Sequence, residues 1–276
     1  MRHKHRVRQI IINYLLSFIL LVSIVTLVFV GVGKYTFASE RAILHSADKT
    51  HYFYYLKNEM EQKAIDYAIP FGIDKSCIRG IFVEKEVRDD VIKVFEEKLN
   101  NEKEIVDLGI IEKRIRAKVE KKEGKLNAEQ NKSLNAYTKK VKDMYVKKLH
   151  FPTEDFMVMI LNKTTTVAWI AIPVSIVLAF FCAFYLIVSR HYAYHGLRYV
   201  VYGVLGAGAF IAVMAAAIVS NGAIYRYNIS DSYLKDFYVY WIGHPLLMLV
   251  VFGIGVAVFG LIGIFLVYRQ KYAVRQ

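Results

Sequence analysis

The stretch IIINYLLSFILLVSIVTLVFVGV, residues 10–32, holds 23 consecutive positions without a charged side chain. A hydrocarbon core of ~30 Å needs roughly 20 helical residues to cross it, and backbone polar groups in lipid must satisfy one another within the segment. The stretch therefore reads as a membrane-spanning helix. A basic start (Arg2, Lys4, Arg6, Arg8) and the small-residue site Thr36-Phe37-Ala38 also fit a secretory leader. Leader apolar regions run about 7–15 residues, so the length favours a retained anchor.

Three further runs repeat the pattern at about 166–188, 199–220 and 241–268, none with Asp, Glu, Lys or Arg. They carry the apolar excess of the chain, which is 55% hydrophobic against 22% charged over 276 residues, with a mean hydropathy of +0.31. Soluble domains lie nearer 45–50% apolar. None of the runs alternates, which sets aside a β-barrel. The expected fold is all-α: a polytopic membrane protein with four transmembrane helices and a helical extracytoplasmic domain between the first and second. The expected order is a basic segment 1–9, spans at 10–32, 164–189, 199–220 and 241–268, a helical domain at 33–163, loops at 190–198 and 221–240, and a tail at 269–276.

Charge sets the expected orientation. Residues 1–9, 190–198 and 269–276 carry four, two and three Lys/Arg, nine in all, and no acid. The loop 221–240 balances Arg226 and Lys235 against Asp231 and Asp236. The positive-inside rule then places both termini in the cytoplasm. Trp169 and Trp241 fall at the outer helix ends and Tyr192, Tyr194, Tyr199 and Tyr268 at the inner ends, where aromatic belts form. The net charge of +13 does not point to nucleic acid, because residues 34–163 hold 26 basic and 22 acidic residues and most of the surplus flanks the spans.

Residues 34–163 read as amphipathic helices. No Gly or Pro falls between Lys34 and Ala68, and Pro70 and Gly72 then break the chain. Asp74 suits the cap of a short helix. Val87, Val91, Phe95 and Leu99 make one stripe, Ile111, Ile115 and Val119 a second, and Leu134, Tyr137, Val141, Tyr145 and Leu149 a third. Thr153 is expected to cap the helix after Pro152. The segment 156–161 fits either an interfacial position or an extension of the second span. Cys77 and Cys182 fall in different compartments on this reading and cannot pair. A domain of about 130 residues without a disulfide, in a chain rich in Lys, Ile and Tyr, fits a bacterial envelope better than an animal four-span family.

Few residues announce chemistry. No phosphate loop, HExxH, GxSxG or CxxC motif occurs, and no charge lies within the spans. His191/His195, the His45–Asp48–His51 series and His244 are weak ligand sets, and Asp89-Asp90 and Glu96-Glu97 read as solvated faces. Asn131, Asn162 and Asn228 open Asn-x-Ser/Thr triplets, which matter only on a eukaryotic secretory route. The expectation is a non-enzyme with no metal and no cofactor.

Two features stand out. Gly208 and Ala212 in the third run, and Gly253 and Ala257 in the fourth, have the small-residue spacing that lets helices approach in lipid. Tyr52-Phe53-Tyr54-Tyr55 puts aromatics on every side of a helix; Phe53 and Leu56 are expected to face the core, leaving Tyr52 and Tyr55 as a partner surface. The leading expectation is a multi-pass plasma-membrane protein whose outer domain binds a protein partner or ligand, in contact with lipid, a membrane or extracytoplasmic protein, or a second copy of itself, and not nucleic acid. The layout is similar to that of permease subunits of the cell-division and macrolide-exporter ABC type, in which ATPase work is relayed to an outer domain. That similarity is topological, spans the chain and rests on no motif; such permeases carry a longer amphipathic stretch before the first helix. A small channel or transporter subunit is the third alternative.

Overall fold

The computed structural model describes residues 2–100, 106–188, 193–226, 229 and 231–273. Among them there is no strand. Ten α-helices are present: α1 Arg2–Val32, α2 Glu40–Lys49, α3 Tyr52–Ala68, α4 Lys75–Ile78, α5 Glu84–Asn100, α6 Gly109–Glu123, α7 Ala128–Leu149, α8 Glu154–Val188, α9 Ala193–Ser220 and α10 Ser232–Ala273. The chain divides into two compact units, one of Met1–Ile43 with Ile160–Gln276, the other Leu44–Met159.

Four helices are long and apolar enough to cross a membrane. Their most apolar windows are only 17–28% buried within the protein. A soluble protein rarely exposes so much contiguous apolar surface, so a lipid environment is the natural solvent for these helices. The helices outrun the apolar runs. α1 continues into a π-helical turn at Gly33–Phe37, α8 includes 156–161 without a break, and α10 begins within the stretch read as a loop. Pro173 and Pro245 sit inside α8 and α10, as prolines of membrane helices often do.

In the first unit, α1 and α9 run parallel and α9 and α10 antiparallel. The Ser17 hydroxyl donates to the Tyr199 carbonyl at 2.8 Å, and Tyr14 meets Tyr199 edge-on at 5.3 Å. Further along the same pair, Val32 joins Ile211, Ala215 and Leu249 in a buried cluster. The π turn ends where Ala38 N–H donates to Gly33 O at 2.7 Å. Helix ends leave carbonyls without partners. Here the Trp241 indole N–H donates to the Phe37 carbonyl at 3.0 Å while the two rings stack at 4.8 Å. Trp241 is 2% exposed. This corrects its expected place in an aromatic belt: the indole closes a helix end instead. Trp169 is 71% exposed, with the Lys34 ammonium 4.9 Å from its ring.

The second unit is a helical domain with its own core. The three sequence stripes are buried, except that Leu99 is half-buried. Local signals set the helix starts. Asp74 accepts from Ser76 N–H and starts α4; Asn127 and Gln130 form a reciprocal capping box at α7. Gly124, at φ +78°, ends α6 in a conformation that a Cβ would strain. Two breaks fall between Lys34 and Ala68, where no Gly or Pro marks them. Ser39 Oγ accepts from Ala42 N–H and starts a new helix, and His51 at φ +54° separates α2 from α3. Thr153, also at positive φ, precedes α8 in a left-handed conformation, unlike the extended backbone of an ordinary N-cap.

Candidate functional sites

The small residues of α9 and α10 meet. A Cβ on Gly208 would run into the backbone of Ala257, and one on Gly253 would lie 2.5 Å from the Ala212 nitrogen. Gly260 faces Leu205 and Gly263 faces Val201 in the same way, at 2.8 and 2.7 Å. Falling α9 numbers match rising α10 numbers, so the four residues named from the sequence belong to one antiparallel seam. On the other side of α9, Gly203 leaves no room for a Cβ beside Ser17 of α1. One polar residue of the first apolar run, Asn13, escaped attention in the sequence; it is 3% exposed.

The aromatic run of α3 divides differently from expectation. Phe53 and Leu56 are buried, and so is Tyr52, 1% exposed and stacked on Phe151 at 5.2 Å. Met60 and Ala64 extend the apolar stripe and put its centre on the Tyr52 side of the helix. Tyr52 is therefore a core residue rather than a partner contact. Tyr54 and Tyr55 are each 47% exposed and meet edge-on at 5.4 Å. The exposed aromatic pair is Tyr54–Tyr55.

A third feature was not singled out in the sequence. α3 and α7 pack antiparallel, with Tyr137 Oη donating to the Ala64 carbonyl at 3.0 Å in the core. Burial pushes the Tyr137 phenol well above its usual range. Outside this contact, Lys63 and Tyr67 of α3 face Lys140, Asp143, Lys147 and Lys148 of α7 across an open groove of about 600 Å³. His150, Phe151 and Pro152 line it where α7 ends. Glu59 holds both Lys63, at 2.8 Å, and Lys148, at 2.6 Å. That carboxylate keeps the Lys63 ammonium above the usual lysine range. Lys140 lies 4.3 Å from the centre of the Tyr67 ring. The sequence signal was present: Lys pairs at 139–140 and 147–148 recur two helical turns apart.

The remaining titratable groups tie the domain together. Arg88 donates from Nε and Nη2 to the Asp48 carboxylate and Arg114 from Nη1 and Nη2 to that of Glu86, so the His45–Asp48–His51 series has its carboxylate committed to an arginine. The paired cations hold Glu86 and Glu112 below the usual carboxylate range. Among the described residues no His/Cys/Asp/Glu group is arranged to hold a metal ion. His191 and Asn228 lie outside the described residues. His244 stacks on Tyr240 at 5.3 Å, and Cys77 and Cys182 are both free and buried. Comparison of the chain with protein-family models, curated proteins and solved structures returned no match.

Proposed function

We propose that the chain is a non-enzymatic, multi-pass protein of a bacterial cytoplasmic membrane whose helical domain, on the outer side, binds a partner or ligand. The observation that carries the reading is the lysine-lined groove on a domain with its own core, in a chain that also has four helices able to cross a membrane. The nine-to-zero split of charge supports the orientation. Tyr54 and Tyr55 supply a second exposed surface on the same domain.

Two measurements test this. Single cysteines at Lys125 and Arg269 are exposed to a membrane-impermeant maleimide in intact cells. Labelling of the first and protection of the second is expected; the reverse pattern overturns the orientation. A photocrosslinking residue at Lys147 or Tyr55, again in cells, should form adducts at the domain. Adducts confined to sites in α8 or α10 would move the binding role to the membrane helices.

A further inference from the structure

The lysines of the groove outnumber the carboxylates beside them. Lys63, Lys140, Lys147 and Lys148 stand against Glu59 and Asp143. Lys140 and Lys147 are exposed and seven residues apart on α7. At 1.5 Å per residue that separates them by about 10 Å along one helix face. An extended anion lying along α7 meets both lysines without drawing their side chains together.

We propose that this groove binds a linear phosphate polymer laid along α7, with anionic groups against Lys140 at one end and Lys147 at the other, while Lys148 and Lys63 stay on Glu59. The inference rests on the reading of this domain as the binding part of the chain. Three observations select the chemistry. The cations are all lysines, which act as point charges on phosphate, while bidentate recognition of carboxylates favours arginine. The domain's bidentate arginines, Arg88 and Arg114, are engaged by Asp48 and Glu86 instead. Bases of a nucleic acid would need open aromatic faces to stack on. Of the rings in the groove, Tyr67 carries Lys140 on one face, Phe151 is buried, and the His150 imidazole alone is too little to stack successive bases. A phosphate chain without bases therefore fits better than an oligonucleotide, and better than an acidic peptide.

The test uses the full chain in nanodiscs of neutral lipid, so that no anionic headgroup competes. The probe is fluorescein-labelled inorganic polyphosphate of about 15 units, long enough to span the ~10 Å from Lys140 to Lys147. Fluorescence anisotropy should show binding that weakens linearly in log salt, the mark of released counterions. Lys140→Ala with Lys147→Ala should weaken it about tenfold or more and lower the salt slope, the size expected for two charge-assisted contacts. Both residues are exposed, so the fold should persist; Lys125→Ala with Lys132→Ala, equal in charge change and outside the groove lining, should leave binding unchanged. Equal binding of poly-glutamate of the same charge, tighter binding of a dT15 oligonucleotide, or equal losses in the two double variants would each overturn the proposal. Absence of polyphosphate binding, with crosslinks at Lys147 still formed in cells, would remove the phosphate inference and leave the binding-domain reading standing.

Discussion

Tyr52 and Tyr55 are three positions apart on α3 and have opposite fates. Tyr52 stacks on Phe151 in the core, and Tyr55 stands half in solvent beside Tyr54. Replacing a buried aromatic by a small residue removes its burial and leaves a cavity, at a cost of about 3–5 kcal/mol. Tyr52→Ser should therefore lower the unfolding temperature of the domain sharply, while Tyr55→Ser should shift it little, as surface changes usually do. Thermal unfolding of the two variants of the full chain, followed by circular dichroism, compares them directly. Equal and small effects would mean that the Tyr52–Phe151 stack does not hold the core together.

At the scale of elements, the same substitution should act with opposite sign at two glycines. Gly255 of α10 has no atom within 4 Å of where a Cβ would stand, whereas a Cβ on Gly208 meets the backbone of the facing helix. Gly to Ala in an open helix position favours the helix by up to about 1 kcal/mol. Forcing a methyl group between two packed helices costs about 1–3 kcal/mol. Gly208→Ala should lower the melting temperature in detergent and Gly255→Ala should leave it level or raise it. Matching shifts at both positions would place the seam elsewhere. The elements themselves were legible wherever their cause was local. The stripes Val87–Val91–Phe95 and Ile111–Ile115–Val119, the Asp74 cap and the four small residues of the seam could all be read from spacings within one helix. Tyr52 and Trp241 could not. Their burial depends on Phe151, 99 residues away, and on Phe37, 204 residues away. The break at His51 has no glycine or proline to mark it. The α7 side of the groove was legible in the Lys pairs 139–140 and 147–148, but its α3 side was not, since Lys63 becomes a neighbour of Lys140 only when α3 packs on α7.

Over the whole molecule, ionisable groups and apolar spans are segregated. The arginine and lysine pairs of Glu86 and Glu112 belong to the unit Leu44–Met159, while the apolar runs have no Asp, Glu, Lys or Arg. A carboxylate held below its usual range when folded stabilises the native state at any pH above its unfolded value, about 4.3 for Glu. That contribution is lost as pH falls from there through the folded value. Acid should thus loosen this unit first. Hydrogen exchange followed by mass spectrometry, corrected for intrinsic rates, should show α5 and α6 losing protection as pH falls below about 4.3, with α9 and α10 unchanged. Glu86→Gln should flatten the response of α5. Loss of protection in α9 and α10 over the same range would contradict the segregation.

The seam between α9 and α10 also limits how those helices can move. Each glycine is a notch cut to the depth of the backbone opposite, and the notches recur at Gly208, Gly253 and Gly260 along both partners. A slide of one turn, ~5.4 Å, in the direction that sets Gly253 against Ala216 also sets Ala257 against Ala212, so small residues meet small residues again in the new register. The pair is therefore held at registers one turn apart, and within a register the hairpin behaves as one stiff double rod. A displacement imposed on either helix must be shared by the other. Any signal or load crossing the bilayer through this pair would arrive as tilt or rotation of the rod as a whole.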